Sequence, residues 1–267
     1  MALTVREPRP ERGTVVGAQR WRIDGVALRT WTVQDPVVDE VPLADRRDFV
    51  LVHGLGASSA TFERLAPHLA RVGTVHLVDL PGFARVPRPS GGLEVADLAR
   101  VVTGWAERAG VQGATFVGHS MGAQVVAEAL AASPDLASHG VLVGPTVDER
   151  APTAGRQMLR LARSGLAESA AVRAVLVRGT LECGPRWYVT ELRRMLRHDV
   201  AARVRAVEAP LLMVRGEHDH VAPAAWVAGL AATAPRGRAA TVPGAAHAAM
   251  YTHGREVADL VLAHVAG

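Results

Sequence analysis

An α/β architecture with a doubly wound, mostly parallel sheet is predicted by three features of the sequence. Short apolar runs alternate with helical patterns, Gly and Asp bound those runs, and one long interval carries helices but no strand. Two β-rich runs come first, Val15–Ile23 and Val26–Val33, joined at Asp24-Gly25, a dipeptide suited to the positive φ values of a tight hairpin. A polar, proline-containing loop, Gln34–Arg47, follows. Strand candidates then recur at Phe49–Val52, Val75–Val78, Ala114–Val117, Gly140–Val143, Leu211–Val214 and Ala239–Val242. Runs this continuously apolar suit strands covered on both faces. Helices are expected between them at Thr61–Ala70, Val95–Ala109, Met121–Ala132, Pro223–Thr233 and Arg255–Ala263. Ligands of such a sheet bind beyond the carboxyl ends of its strands.

The interval between Val143 and Leu211 reads as an inserted helical cap, residues 146–205, leaving 1–145 and 206–267 as the core. Met158, Leu159, Ala162 and Leu166 recur at helical spacing, as do Val189, Leu192, Met195 and Leu196, with arginines between them.

The 267 residues are 49% hydrophobic and 21% charged, which disfavours disorder and membrane spans. The single cysteine, Cys183, cannot form an internal disulfide, and Met1–Gly13 is too charged for a signal peptide, so a cytoplasmic protein is expected. All 30 basic residues are Arg, and because arginine stays protonated at any workable pH even a net charge of +4 drives the isoelectric point high, so a high isoelectric point is weak evidence for a nucleic-acid partner. The charge is unevenly placed: residues 150–205 hold 12 Arg against Glu168, Glu182, Glu191 and Asp199, giving +8, and the remainder gives −4. A positive cap predicts attraction of an anionic substrate such as a free carboxylate, a coenzyme A thioester or an acidic carrier protein; the competing reading is an ordinary solvated surface.

Gly118-His119-Ser120-Met121-Gly122 lies between the strand Ala114–Val117 and an Ala-rich helix. Such a strand-turn-helix corner strains the serine backbone, lifts its hydroxyl clear of the sheet and aims the helix N-terminus at the reacting group. A serine at its free pKa is a poor nucleophile and needs a base with an acid to orient it. Asp219, in the loop after Leu211–Val214, and His247, after the last strand, complete the order Ser, Asp, His. Glu217 and Asp148 are competing acids. Oxyanion donors are expected from the backbone N–H groups of Met121 and of Leu55, in the loop His53-Gly54-Leu55-Gly56. That loop also reads as a Gly-rich turn before a helix capped by Ser58 or Ser59. No spacing typical of metal ligands appears.

Taken together, His53-Gly54-Leu55-Gly56, Asp79-Leu80-Pro81-Gly82-Phe83, Gly118-His119-Ser120-Met121-Gly122, Gly216-Glu217-His218-Asp219 and Pro243-Gly244-Ala245-Ala246-His247 resemble the α/β-hydrolase superfamily. The resemblance implies an eight-stranded, mostly parallel sheet, a helical cap after the sixth strand, no cofactor, and a serine hydrolase of a small to medium ester, lactone or thioester. It also implies that Phe83 is a pocket wall. His53, His119, Met158 or Leu159, Trp187 and Tyr188 are further candidates for contact with substrate. Serine at the elbow argues against epoxide hydrolases and haloalkane dehalogenases, which use aspartate there. Carbon–carbon bond hydrolases of ring-fission products remain an alternative. They carry Asn before the serine and an aromatic residue after the histidine, where this chain has His119 and Ala248. A non-catalytic ligand-binding protein on the same fold is the other alternative.

Overall fold

The computed structural model describes residues 15–149 and 153–267, so the charged stretch Met1–Gly13 and Arg150 lie outside the described residues. Eight strands form one sheet: β1 (Val15–Ile23), β2 (Val26–Gln34), β3 (Phe49–Val52), β4 (Val75–Asp79), β5 (Ala114–His119), β6 (Ala137–Val143), β7 (Leu211–Gly216) and β8 (Gly237–Val242). Their order is β1-β2-β4-β3-β5-β6-β7-β8. The β1–β2 hairpin joins the sheet antiparallel to β4, and β3 to β8 run parallel. Asp24 and Gly25 turn the hairpin with φ of 48° and 84°, the pair of positive values a two-residue turn requires.

Helices cover both faces: α1 (Ala66–Leu69), α2 (Val95–Ala109), α3 (Met121–Ala132), four inserted helices α4 (Ala154–Ala167), α5 (Ala170–Cys183), α6 (Pro185–Arg197) and α7 (Val200–Ala206), then α8 (Ala224–Thr233), α9 (Ala249–Thr252) and α10 (Gly254–Ala266). One apolar layer packs β3 and β5 against α2 and α3, through Val50, Phe116, Val102, Trp105 and Val126. The opposite layer packs Phe49, Leu51, Val141 and Val214 against Leu65, Leu69 and Val261.

The helix expected over Thr61–Ala70 is instead a 3-10 turn, Ser59–Phe62, followed by the single turn α1. Pro67 explains the break, because its ring collides with the carbonyl four residues earlier in any continuous helix and it has no N–H to donate. Ser58 caps the 3-10 turn.

A second departure lies in α4. Met158, Leu159 and Leu166 face outward, Leu166 being 83% exposed, while Gln157, Ser164 and Glu168 are buried. A surface helix normally turns its apolar stripe to the core; here polar residues hold the most buried positions. Ser164 Oγ accepts the N–H of His220, and Glu168 at the helix end reaches the N–H of Ala248.

Three arginines of the inserted helices pair with carboxylates outside those helices. Arg160 pairs with Asp148 at 2.7 Å, Arg194 with Glu94 at 2.7 Å, and Arg203 with Glu128 at 2.8 Å. Partly exposed pairs of this kind contribute about 0–1 kcal/mol each, so they orient the insertion more than they stabilise it. Glu191 anchors α6 by accepting the N–H of Leu93, and burial pushes its carboxyl up to about 7.

Candidate active site

Four strand ends build the site. After β5 the chain turns so sharply that Ser120 sits at φ 55° and ψ −117°, a conformation that costs a non-glycine residue about 1–3 kcal/mol and persists only where its surroundings impose it. The N–H of Ser120 donates to the carbonyl of Val143 on β6, fixing the corner. Side chains at 118 and 122 are forbidden: a Cβ on Gly118 would lie 2.3 Å from the carbonyl oxygen of Gly122, and one on Gly122 would lie 2.1 Å from that of Val52.

Beyond β7, Asp219 is buried, and its Oδ2 bonds to His247 Nδ1 at 2.9 Å while Oδ1 accepts the N–H groups of Val221 and Ala222. Arg215 holds the loop by donating to the carbonyls of Ala222, Glu217 and Asp219. The competing acids are engaged elsewhere, Asp148 with Arg160 and Glu217 with the N–H of Gly244. Burial raises the Asp219 carboxyl, but the charge and hydrogen bond of His247 outweigh it, leaving the group below its ordinary value. For His247, burial lowers proton affinity while the charge and hydrogen bond of Asp219, with the charge of Glu168, raise it further, so the imidazole ends above its ordinary value. Gly144, after β6 with φ of +54°, makes room for this pair, since a Cβ there would lie 2.9 Å from the His247 ring.

Ser120 and His247 line one cavity of about 390 Å³ without a hydrogen bond between them. Such contacts are often long in a free enzyme and tighten when substrate binds. Apolar side chains, including Leu55, Leu161, Leu176, Leu181 and Met195, make up much of the wall. The N–H groups of Leu55 and Met121 have no acceptor among the described residues, Met121 being the first residue of α3, where intrahelical acceptors are lacking.

Of the residues expected to contact substrate, His119, Met158 and Tyr188 line this cavity; His53, Phe83, Trp187 and Leu159 do not. His53 is fully buried with both ring nitrogens engaged, Nδ1 with the carbonyl of Gly54 and Nε2 with the N–H of Leu80. Phe83 packs edge-on against His53 and Trp187. Trp187 seats α6 on the Asp79–Phe83 loop, lying so close to Gly82 that a Cβ there would come within 2.3 Å of the indole. Asp79, in that loop, is a fastener: it accepts from Arg29, Trp31 and the N–H of Ser59.

Three residues near the site carry no sequence signal. Arg215 and Thr146 belong to no motif, and Glu168 lies on a helix whose buried face the apolar spacing misassigns. Gly144 had a weak signal, a glycine directly after a strand.

Residues 49–175 match a family model described as the alpha/beta hydrolase fold. An uncharacterized hydrolase of Bacillus subtilis (strain 168), YugF, is 31% identical over 126 residues, 47% of this chain and 43% of that one, so the chain spans less than half the length of this relative. A pimeloyl-[acyl-carrier protein] methyl ester esterase of Xanthomonas campestris pv. campestris (strain B100) is 27% identical over 254 residues, 81% of this chain and 94% of that one. A crystal structure of a hydrolase from Pseudomonas aeruginosa PA01 superposes with a TM-score of 0.77 at 18% identity, over 94% of this chain and 98% of that one, a likeness of fold. With its eight-stranded sheet and its ordered elbow, acid and histidine loops, the chain has the α/β-hydrolase fold.

Proposed function

We propose that the chain is a serine hydrolase of small to medium carboxylic esters, lactones or thioesters, with Ser120 as nucleophile, His247 as base and Asp219 as the acid that orients it. The observation that carries this reading is the Asp219–His247 hydrogen bond opening onto the cavity that holds a strained Ser120. With Nδ1 bonded to Asp219, the His247 lone pair is on Nε2, which takes the Ser120 proton as Oγ attacks the carbonyl carbon. The oxygen of the tetrahedral intermediate is received by the N–H groups of Leu55 and Met121, each donor being worth about 2.7–4 kcal/mol in comparable sites. His247 returns the proton to the leaving oxygen or sulfur, an acyl group stays on Ser120, and water activated by the same histidine releases it. The inserted helices 146–205 act as the cap that supplies one side of the cavity, through Met158, Leu161 and Tyr188. The esterase named above, which aligns over 94% of its length, supports ester substrates. The pairing of the cap's Arg194 and Arg203 with the core carboxylates Glu94 and Glu128 weakens the case for an anionic substrate.

A shared acyl-enzyme makes a specific prediction. With hydroxylamine present, methyl, phenyl and p-nitrophenyl butanoate should give the same ratio of hydroxamate to acid, because all three pass through one butanoyl-Ser120 species. A ratio that changes with the leaving group would mean direct attack by water and would contradict the mechanism.

A further inference from the structure

The polar groups buried at α4 include a carboxylate oxygen without a partner among the described residues. Glu168 lines the cavity and is 5% exposed; Oε1 accepts the Ala248 N–H at 2.7 Å, and Oε2 is buried with no partner among the described residues. Two other cavity residues share this condition: Thr146 at Oγ1 and His119 at Nδ1. His119 Nε2 lies 3.1 Å from the carbonyl of His247, so the ring proton is on Nε2 and Nδ1 is an acceptor. Burial, reinforced by the neighbouring His247, pushes His119 down to about 3 and keeps it neutral.

Native proteins satisfy the large majority of buried polar atoms. An orphaned acceptor costs about 1–3 kcal/mol, more when charged. With Glu168 ionised, which burial opposes and the charge of His247 favours, two of these three atoms can only accept, and the third, a hydroxyl, can do so too, so a ligand that completes the site brings donors. Its position within the site follows from the chemistry. His247 hands its proton to the leaving oxygen, and Glu168 is bonded to the residue next to His247, so it borders the leaving-group side.

We infer that Glu168 is a specificity-determining residue whose Oε2 receives a hydroxyl of the leaving alcohol, making monoesters of diols and polyols the preferred substrate class over plain alkyl esters. This rests on the ester hydrolase reading above.

The test compares 3-hydroxypropyl butanoate with butyl butanoate by acid release. The two esters match atom for atom except that a hydroxyl replaces a methyl, and they form the same acyl-enzyme, so kcat/KM reports the alcohol side alone. An apolar pocket favours the butyl ester. The inference predicts the reverse, a wild-type kcat/KM about tenfold higher for the hydroxypropyl ester, which is modest for a site whose acceptors stay unpaired with the wrong substrate. Glu168→Gln keeps an oxygen for the Ala248 N–H and replaces Oε2 with an NH2 group that cannot accept the hydroxyl proton, so the ratio should fall to one or below. A wild-type ratio of one or less overturns the inference, whether or not the variant folds. So does an unchanged ratio in a folded Glu168→Gln protein. Turnover of both esters at equal kcat/KM leaves the hydrolase reading standing and removes only the inference. No turnover of either, with no serine-directed labelling at Ser120, removes both.

Discussion

Replacing Ser120 with alanine is expected to lower kcat for p-nitrophenyl butanoate by about 10⁶-fold, the scale on which removal of a serine nucleophile or its histidine acts in comparable triads. His247→Ala should cost about as much. The double variant should be scarcely worse than either single one, because nucleophile and base act as a unit. The argument is structural as well as chemical. The elbow strain at Ser120, the glycines at 118 and 122 that let α3 cross β3, and the Asp219–His247 pair beside the same cavity are the arrangement the proposed nucleophile requires. Alanine at 120 keeps the backbone corner and removes only Oγ, so the folded state should survive, which a thermal melt checks. Steady-state turnover with purified variants measures the loss, and wild-type rates from Ser120→Ala would assign the chemistry to another group.

Asp219→Asn should lower kcat by about 10⁴-fold while leaving the protein folded, because an amide NH2 facing His247 Nδ1 favours the wrong tautomer. It should also move the pH profile, in a direction that follows from the site. His247 has to be neutral to accept the Ser120 proton, so kcat/KM falls as pH drops through its pKa. Burial alone would place that pKa low, but the charge and hydrogen bond of Asp219, helped by Glu168, hold it above the ordinary value of about 6.5. The wild-type acid limb should therefore have its midpoint above about 6.5, and removing the Asp219 charge should move it toward lower pH. A midpoint that stays in place in Asp219→Asn would mean that another carboxylate governs His247. Glu217 and Asp148 are poorly placed for that, tied to Gly244 and Arg160.

The same packing physics explains why some of this is readable in the sequence and some is not. Strands β3 to β5 and β7 are legible from their buried apolar runs. Strand β6 begins at Ala137, three residues before the expected start at Gly140, where Ser138 and His139 break the apolar run. The β-hairpin geometry makes Asp24-Gly25 a strong local signal. Helices α2 and α3 have unambiguous ends, Gly110 in a left-handed conformation closing one and the elbow opening the other. Pro67 was available as a breaker within the expected Thr61–Ala70 helix and overrides its apolar pattern.

The inserted helices resist periodicity for a physical reason. In α4 and at its C-cap, Gln157, Ser164 and Glu168 are buried, the last two accepting the N–H groups of His220 and Ala248, while Met158, Leu159 and Leu166 are exposed, so the most buried positions are not those that apolar spacing selects. Helix α5 fails differently: its apolar side chains run all round it, from buried Val172 to Leu181 at 76% exposure, and give no stripe to detect. For Phe83 and Trp187, aromatic character marks packing at the seam between insertion and core rather than contact with a ligand.

The central claim is that Ser120 is the nucleophile of this cavity, and covalent labelling tests it most directly. A fluorophosphonate probe reacts with a serine only when a base and oxyanion donors activate it. The expected result is one adduct per chain by intact mass, mapped to Ser120 by peptide sequencing, formed by the wild type and absent from Ser120→Ala and His247→Ala. A folded wild-type protein that hydrolyses p-nitrophenyl butanoate or binds ligands in this cavity yet never labels at Ser120 would contradict the account.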